Sequence, residues 1–275
     1  MPINTLMSVQ YNKCFRKIDI PYSLCWYDIQ DATTLFDASG NPPTLFVCKI
    51  TNKAVNSINV NNLISFKANG GYTFLQKGTY YNSVRNITGA TSEVGLRTEL
   101  LTRNFNNGFA SFFVYYSNGT PSGGGLWCKS KSGTNNSNPF VSTETSRYIG
   151  DGTTNNLIGI STFNCLSPSL ILNIFYNEFD VNTMTYNEYV NSTNSLTATT
   201  SVYADVENYI TVGVGTNNLY KNTVCLHECL FYDAPLSTVN RQIVEGWLAT
   251  KYNLLNKLSI DHPYKSGYLG SNPLH

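Results

Sequence analysis

The sequence predicts an all-β protein, an antiparallel jelly-roll β-sandwich closed by one C-terminal α-helix. Three observations predict it. Short apolar and aromatic runs recur along the 275 residues, separated by turns rich in Asn, Gly and Ser. A helical period of apolar residues appears in one stretch only, near the C-terminus. No internal repeat and no linker divides the chain, so one sandwich domain is expected over 22–275, behind an N-terminal arm or edge strand over 1–21.

The elements follow in order. Tyr22 to Asp28 reads as a strand, and Thr44 to Ile50, Ser57 to Lys67 and Tyr72 to Gln76 as short β segments. Arg97 to Phe105 leads into Gly108 to Tyr116, whose continuous apolar run suits a central strand covered on both faces. Leu126 to Lys129 follows the glycine-rich hairpin tip Ser117 to Gly125. Leu157 to Phe163, Ser169 to Tyr176, Thr183 to Val190 and Tyr209 to Gly215 are further strands, and Thr223 to Tyr232 alternates as the last.

After that strand Asp233-Ala234-Pro235 breaks the pattern, and Ser237 is placed to cap a helix that starts at Thr238. Val239, Ile243 and Trp247, with Val244 and Leu248, form its apolar face, and Asn253 suits a left-handed terminating residue. Gly246 lies mid-helix at a cost of about 1 kcal/mol relative to Ala. Close approach of the helix to a sheet is the expected return.

This C-terminal stretch resembles the end of the laminin-G-like branch of the concanavalin A-like lectin/glucanase family. The matching positions are Glu228, Leu236-Ser237, Arg241, Glu245-Gly246-Trp247-Leu248-Ala249 and His262-Pro263-Tyr264. At the other end, Cys25-Trp26-Tyr27-Asp28, Asp31 to Leu35 and the Asp37 to Asn41 turn resemble the family's opening signature. The family's Trp-and-Lys segment before that turn is missing. The resemblance implies a concanavalin A-like sandwich of the kind found in large DNA virus, phage and bacterial surface proteins.

Composition narrows the partners. Charged residues make up 13%, about half the ordinary share, and 35 asparagines take their place. Such a surface suits a sugar-binding face or close packing among subunits. A net charge of +1 without a basic run argues against nucleic acid. Seven cysteines, odd in number and irregularly spaced, read as buried thiols of a reducing compartment. No charged-then-apolar leader and no apolar run near the ~18 residues of a membrane span are seen, so neither signal peptide nor span is expected.

Four constellations carry chemistry. Glu178-Phe179-Asp180-Val181-Asn182 resembles the glucanase E-x-D-x-(x)-E strand, whose period of two puts carboxylates on one face. Asn182 stands where the third carboxylate belongs, so the acid/base group of a retaining hydrolase is missing. Cys225, His227 and Cys229 alternate and so share one side of a strand. That is a zinc-like donor set, but it lacks a fourth ligand, and two buried thiols beside a core histidine is the plainer reading. Glu228, between Leu226 and Leu230 and facing opposite to His227, needs a partner, for which Arg241 is nominated. Trp247 and His262 complete this structural group, with His262 locking the C-terminal segment. Trp127, Tyr148, Asp151 and Asn155 form the nominated carbohydrate-binding set, against the alternative that Gly150-Asp151-Gly152 is only a turn.

The resulting expectation is a non-catalytic structural or attachment component of a virus particle, of minor capsid, penton or fibre type. It would assemble in the host cytoplasm with other particle subunits or as a homo-oligomer, without cofactor or metal. A carbohydrate-binding module is the alternative, and a glycoside hydrolase the third reading.

Overall fold

The computed structural model describes residues 23–54, 61–65, 73–76, 82–86, 96–98, 105–117, 125–130, 140–143, 146–150, 155–160, 172–204, 209–212 and 224–266. Its strands are β1 (Cys25–Asp28), β2 (Leu35–Phe36), β3 (Lys49–Ile50), β4 (Leu63–Ser65), β5 (Thr73–Gln76), β6 (Ser83–Asn86), β7 (Leu96–Thr98), β8 (Gly108–Ser117) and β9 (Gly125–Ser130). They continue as β10 (Phe140–Thr143), β11 (Ser146–Gly150), β12 (Asn155–Ile160), β13 (Asn173–Asp180), β14 (Thr185–Val190), β15 (Thr193–Thr199), β16 (Tyr209–Val212) and β17 (Val224–Tyr232). The helix α1 spans Thr238–Lys251.

These strands form two antiparallel sheets, as the sequence predicts. One runs β15-β14-β13-β8-β17-β6-β5, with β1 also paired to β17; the other runs β12-β11-β10-β9-β16-β7-β4-β3-β2. The apolar run of β8 sits centrally, and its two faces go to different cores. Phe109, Phe113 and Tyr115 enter the core between the sheets, with Phe175, Phe179 and Phe231. Ala110, Phe112 and Val114 point the other way, to a second core under α1, with Val244, Trp247, Leu248 and Tyr252. The molecule is thus layered helix, sheet, sheet. Gly108 opens β8 at φ 98°, and a Cβ there would lie 1.8 Å from the Phe179 carbonyl oxygen, so only glycine fits.

The helix ends match their sequence signals. Ser237 accepts from the Asn240 backbone N–H at 3.2 Å. Asn253 takes φ 56°, and the Leu254 N–H reaches the Ala249 carbonyl at 2.7 Å in a Schellman-type closure. Two expectations fail. Val239 is 61% exposed, because a four-residue spacing rotates about 40° per step and carries it away from the sheet. Gly246 meets Tyr264 rather than a sheet, since a Cβ there would come 2.5 Å from the Tyr264 Cβ. The His-Pro-Tyr segment therefore folds back on the helix. Strand β15 went unpredicted: Thr193 to Thr199 is mostly polar, and its apolar residues are limited to Leu196 and Ala198. The arm over 1–21 lies outside the described residues.

Candidate functional site

The nominated carbohydrate set does not come together. Trp127 pairs with Val212 across β9 and β16 and so faces the inter-sheet core. It is fully buried, its ring 5.1 Å from Phe109 and 5.2 Å from Phe231, which corrects its assignment as a sugar-stacking residue. Tyr148 lies on β11 next to buried Ile149, on the opposite face of that sheet, and is half-buried. Asn155 pairs through its backbone with Gly150 at the start of β12, and Asp151 lies outside the described residues.

A β-bulge reorganises the last strand. Leu226 pairs with Tyr115 and Glu228 with Val114, leaving His227 as the extra residue. Cys225 thereby follows Tyr116 onto the helix side while Cys229 follows Phe113 into the inter-sheet core. The two thiols point to opposite faces, so the zinc-like alternation is broken. Burial raises the Cys25 thiol to about 12 and lifts Cys229 as well, against thiolate chemistry. His227 lies on the helix side, its ring 5.4 Å from Tyr116 and 6.1 Å from Tyr252, and burial lowers its imidazole to about 4. Glu228 shares that side rather than opposing it, which corrects the alternation reading.

Glu228 is fully buried, and its partner is not Arg241. Its carboxylate accepts from Trp26 Nε1 at 2.7 Å, Lys251 Nζ at 2.6 Å and Tyr252 Oη at 2.7 Å. Its cross-strand neighbour Asp28 binds Lys251 at 2.9 Å and Lys53 at 3.2 Å. Burial pushes both carboxyls up. The Lys251 and Lys53 ammoniums outweigh it at Asp28, which ends below its ordinary value, whereas Glu228, with Asp28 beside it, stays raised. This cluster ties β1, β17 and α1 together from the inside. Arg241 instead pairs with Glu245 at 3.3 Å and lies 3.7 Å over the Tyr189 ring. Glu245 also bonds His262 Nε2 at 3.1 Å, and Trp247 stands edge-on to Trp26 at 5.4 Å. The lysine ligands of the buried pair are what sequence reasoning missed.

An open polar surface exists elsewhere, on the helix-side face of β13, β14 and β15. Glu178, Asn187 and Thr197 are direct cross-strand partners and form one row. Asn187 Nδ2 donates to Glu178 Oε1 at 3.2 Å, and Thr197 Oγ1 donates to Asn187 Oδ1 at 2.9 Å. Asn194 Nδ2 donates to Thr197 Oγ1 at 3.1 Å, and Tyr176 Oη donates to the other Glu178 oxygen. Glu178 and Asn187 are half-buried, while Asn194 and Thr197 are exposed. Asp180 shares this face, as the E-x-D spacing predicts, and accepts from the Asn182 N–H in the turn beyond β13. The opposite face of this sheet carries a buried polar row across β8, β13 and β14, Ser111, Asn177 and Glu188, extended through Tyr186 and Ser195. Among the described residues no group of three or more His, Cys, Asp or Glu is arranged to hold a metal, and no helix is long and apolar enough to cross a membrane.

Neither a family model nor a curated protein sequence matches the chain. Solved structures do. The chain is similar to the sialidase of Trypanosoma rangeli at 8% identity and TM-score 0.54, covering 90% of this chain and 38% of the sialidase. It is similar to an arabinofuranosidase solved with arabinofuranosyl-alpha-1,2-xylobiose at 10% identity and TM-score 0.56, covering 89% of this chain and 64% of that one. The binding domain of Paraclostridial Mosquitocidal Protein 1 is a third, at 11% identity, TM-score 0.54, and 84% and 53% coverage. At such identities the likeness is one of fold, consistent with a lectin- or glucanase-like sandwich. It overturns the expectation of a non-catalytic chain, which rested on the incomplete carboxylate triad: the sandwich is shared with sialidase and arabinofuranosidase chains.

Proposed function

We propose that this chain is a glycan-engaging β-sandwich whose contact surface is the open face of β13, β14 and β15. The observation that carries the reading is the row Glu178, Asn187 and Thr197, with donors and acceptors already oriented by one another. A sugar presents adjacent hydroxyls that each donate and accept. Glu178 keeps lone pairs for two such donors, and Asn187 keeps a second N–H for an acceptor. Rigid strands hold these groups at fixed spacing, which lowers the ordering cost of binding. The named saccharide-related neighbours support the reading by analogy of fold.

The test is calorimetric titration and glycan-array binding with the full chain. Glu178→Gln and Asn187→Ala are each expected to weaken saccharide binding about tenfold, the effect of losing one charge-assisted or paired hydrogen bond, with unchanged melting. Silence of the unaltered chain across a broad array would remove the proposal. Release of reducing ends from the same saccharides is measured alongside; release abolished by Glu178→Gln would make that carboxyl catalytic.

Membership of a virus particle is a separate proposal, supported by the low charge and the asparagine-rich composition, which suit close packing. Co-assembly with other particle proteins tests it, and a chain that never enters particles would end it.

A further inference from the structure

We infer that strand β15 pairs with β15 of a second copy of this chain to make a twofold dimer. Among the described strands, β15 ends its sheet and β12 ends the other, and the two lie on one flank of the sandwich. They lie against each other there, since a Cβ at Gly159 would meet the Leu196 side chain at 2.9 Å. The sequence of β15, Thr-Asn-Ser-Leu-Thr-Ala-Thr, contains no charge and no proline, and β12, Asn-Asn-Leu-Ile-Gly-Ile, contains none either. Edge strands that must stay single ordinarily carry such guards. A bulge at Ser195 does interrupt β15, but it leaves Leu196 to Thr199 regular. Among the described residues, every hydrogen bond made by 193–199 goes to β14 or stays within the strand. Thr193, Asn194, Thr197 and Thr199 are exposed. Among the described residues, nothing pairs with the outer N–H and C=O groups of this strand.

The occupant is argued from the same residues. A charged peptide finds no complementary charge on this strand. A second β15 meets no like charge, and facing threonines and serines are favourable cross-strand pairs. Antiparallel pairing of a strand with itself is isologous and closes at two copies. Its twofold axis stands perpendicular to the sheet, so the helix-side faces of both copies lie on one side. The row Glu178, Asn187 and Thr197 would then continue into the same row of the second copy. This last consequence rests on the glycan reading, but the pairing does not.

Light scattering and native mass spectrometry on the full chain, across a wide range of concentration, should show a dimer. The doubly substituted Thr197→Lys, Thr199→Lys chain and its Thr197→Glu, Thr199→Glu counterpart should each raise the dissociation constant about tenfold or more, by bringing like charges across the axis. Mixed in equal amounts, they should recover a heterodimer. Slowed hydrogen exchange confined to β15 at high concentration of the unaltered chain gives a readout that needs no variant. A monomer at every concentration, or a dimer that persists in both charged chains, overturns the inference, as does exchange in β15 that ignores concentration. A dimer that binds no glycan refutes only the binding reading, and tight glycan binding by a monomer refutes only the dimer.

Discussion

Replacing Glu228 by Gln tests whether the buried charge cluster holds the helix to the sheets. The three groups around the carboxylate are all donors: the Trp26 indole, the Lys251 ammonium and the Tyr252 hydroxyl, at 2.6–2.7 Å. A glutamine keeps one acceptor oxygen and turns an NH2 toward donors, so at least one charge-assisted bond is lost and one contact becomes repulsive. Hydrogen bonds to charged groups contribute about 1.5–3 kcal/mol, and removing one partner of a buried ion pair costs about 3–5 kcal/mol. Lys251 retains Asp28, so the lower part of that range applies, about 2–4 kcal/mol. Urea or guanidinium unfolding at neutral pH with an unchanged slope would measure it, and the melting temperature should fall by about 2–4 °C per kcal/mol. Combining Glu228→Gln with Lys251→Met should cost less than the two singles together by about 1 kcal/mol or more, because both remove the same contact. The pH dependence has a definite sign. The Glu228 carboxyl is raised in the fold, so the folded state holds its proton more tightly than the unfolded chain, and stability is lost as pH rises through the window above its ordinary 4.5. Glutamine does not titrate, so its penalty relative to the native side chain should be larger below that window and shrink above it. A cost under about 0.5 kcal/mol at neutral pH, within the range of ordinary surface changes, or strict additivity with Lys251→Met, would refute a cohesive role for the cluster.

Other outcomes follow from the same geometry. His227 is lowered to about 4 from an ordinary 6.5, so the unfolded chain binds its proton first and stability falls as pH drops through that interval, by on the order of 3 kcal/mol; His227→Gln should flatten the acid limb of a pH-melting curve. Gly246→Ala should destabilise by about 1–3 kcal/mol despite better helix propensity, because the new methyl meets Tyr264 from its Cβ outward, and Tyr264→Gly in the same chain, which removes that Cβ, should recover part of the loss. Trp127→Ala should cost about 3–5 kcal/mol in denaturant unfolding as a core truncation, so any loss of glycan binding in that variant tracks unfolding rather than a missing stacking ring.

Local signals determined much of this protein. Ser237, Asn253 and the apolar face from Ile243 to Leu248 specify α1 through contacts within a few residues, and the run at Gly108 to Tyr116 marks a strand covered on both sides wherever its neighbours lie. The facing of Glu178 and Asp180 was equally legible, because strand period depends on nothing distant. What the tertiary structure decided depends on partners far along the chain. One bulged residue at His227 turned Cys225 and Cys229 to opposite faces, and alternation cannot register an insertion that only the neighbouring strand reveals. Pairing with Val212 sent Trp127 inward, where an aromatic beside a polar loop had suggested a ligand face. Glu228 found Lys251 one helix length away instead of Arg241, since both lie on α1 and only the packing angle chooses between them. The row on β13 to β15 required β15, a mostly polar strand whose only apolar residues are Leu196 and Ala198. Cross-strand bonds to β14 and the single core contact of Leu196 hold it in place, and hydrophobic periodicity cannot see a strand that buries so little.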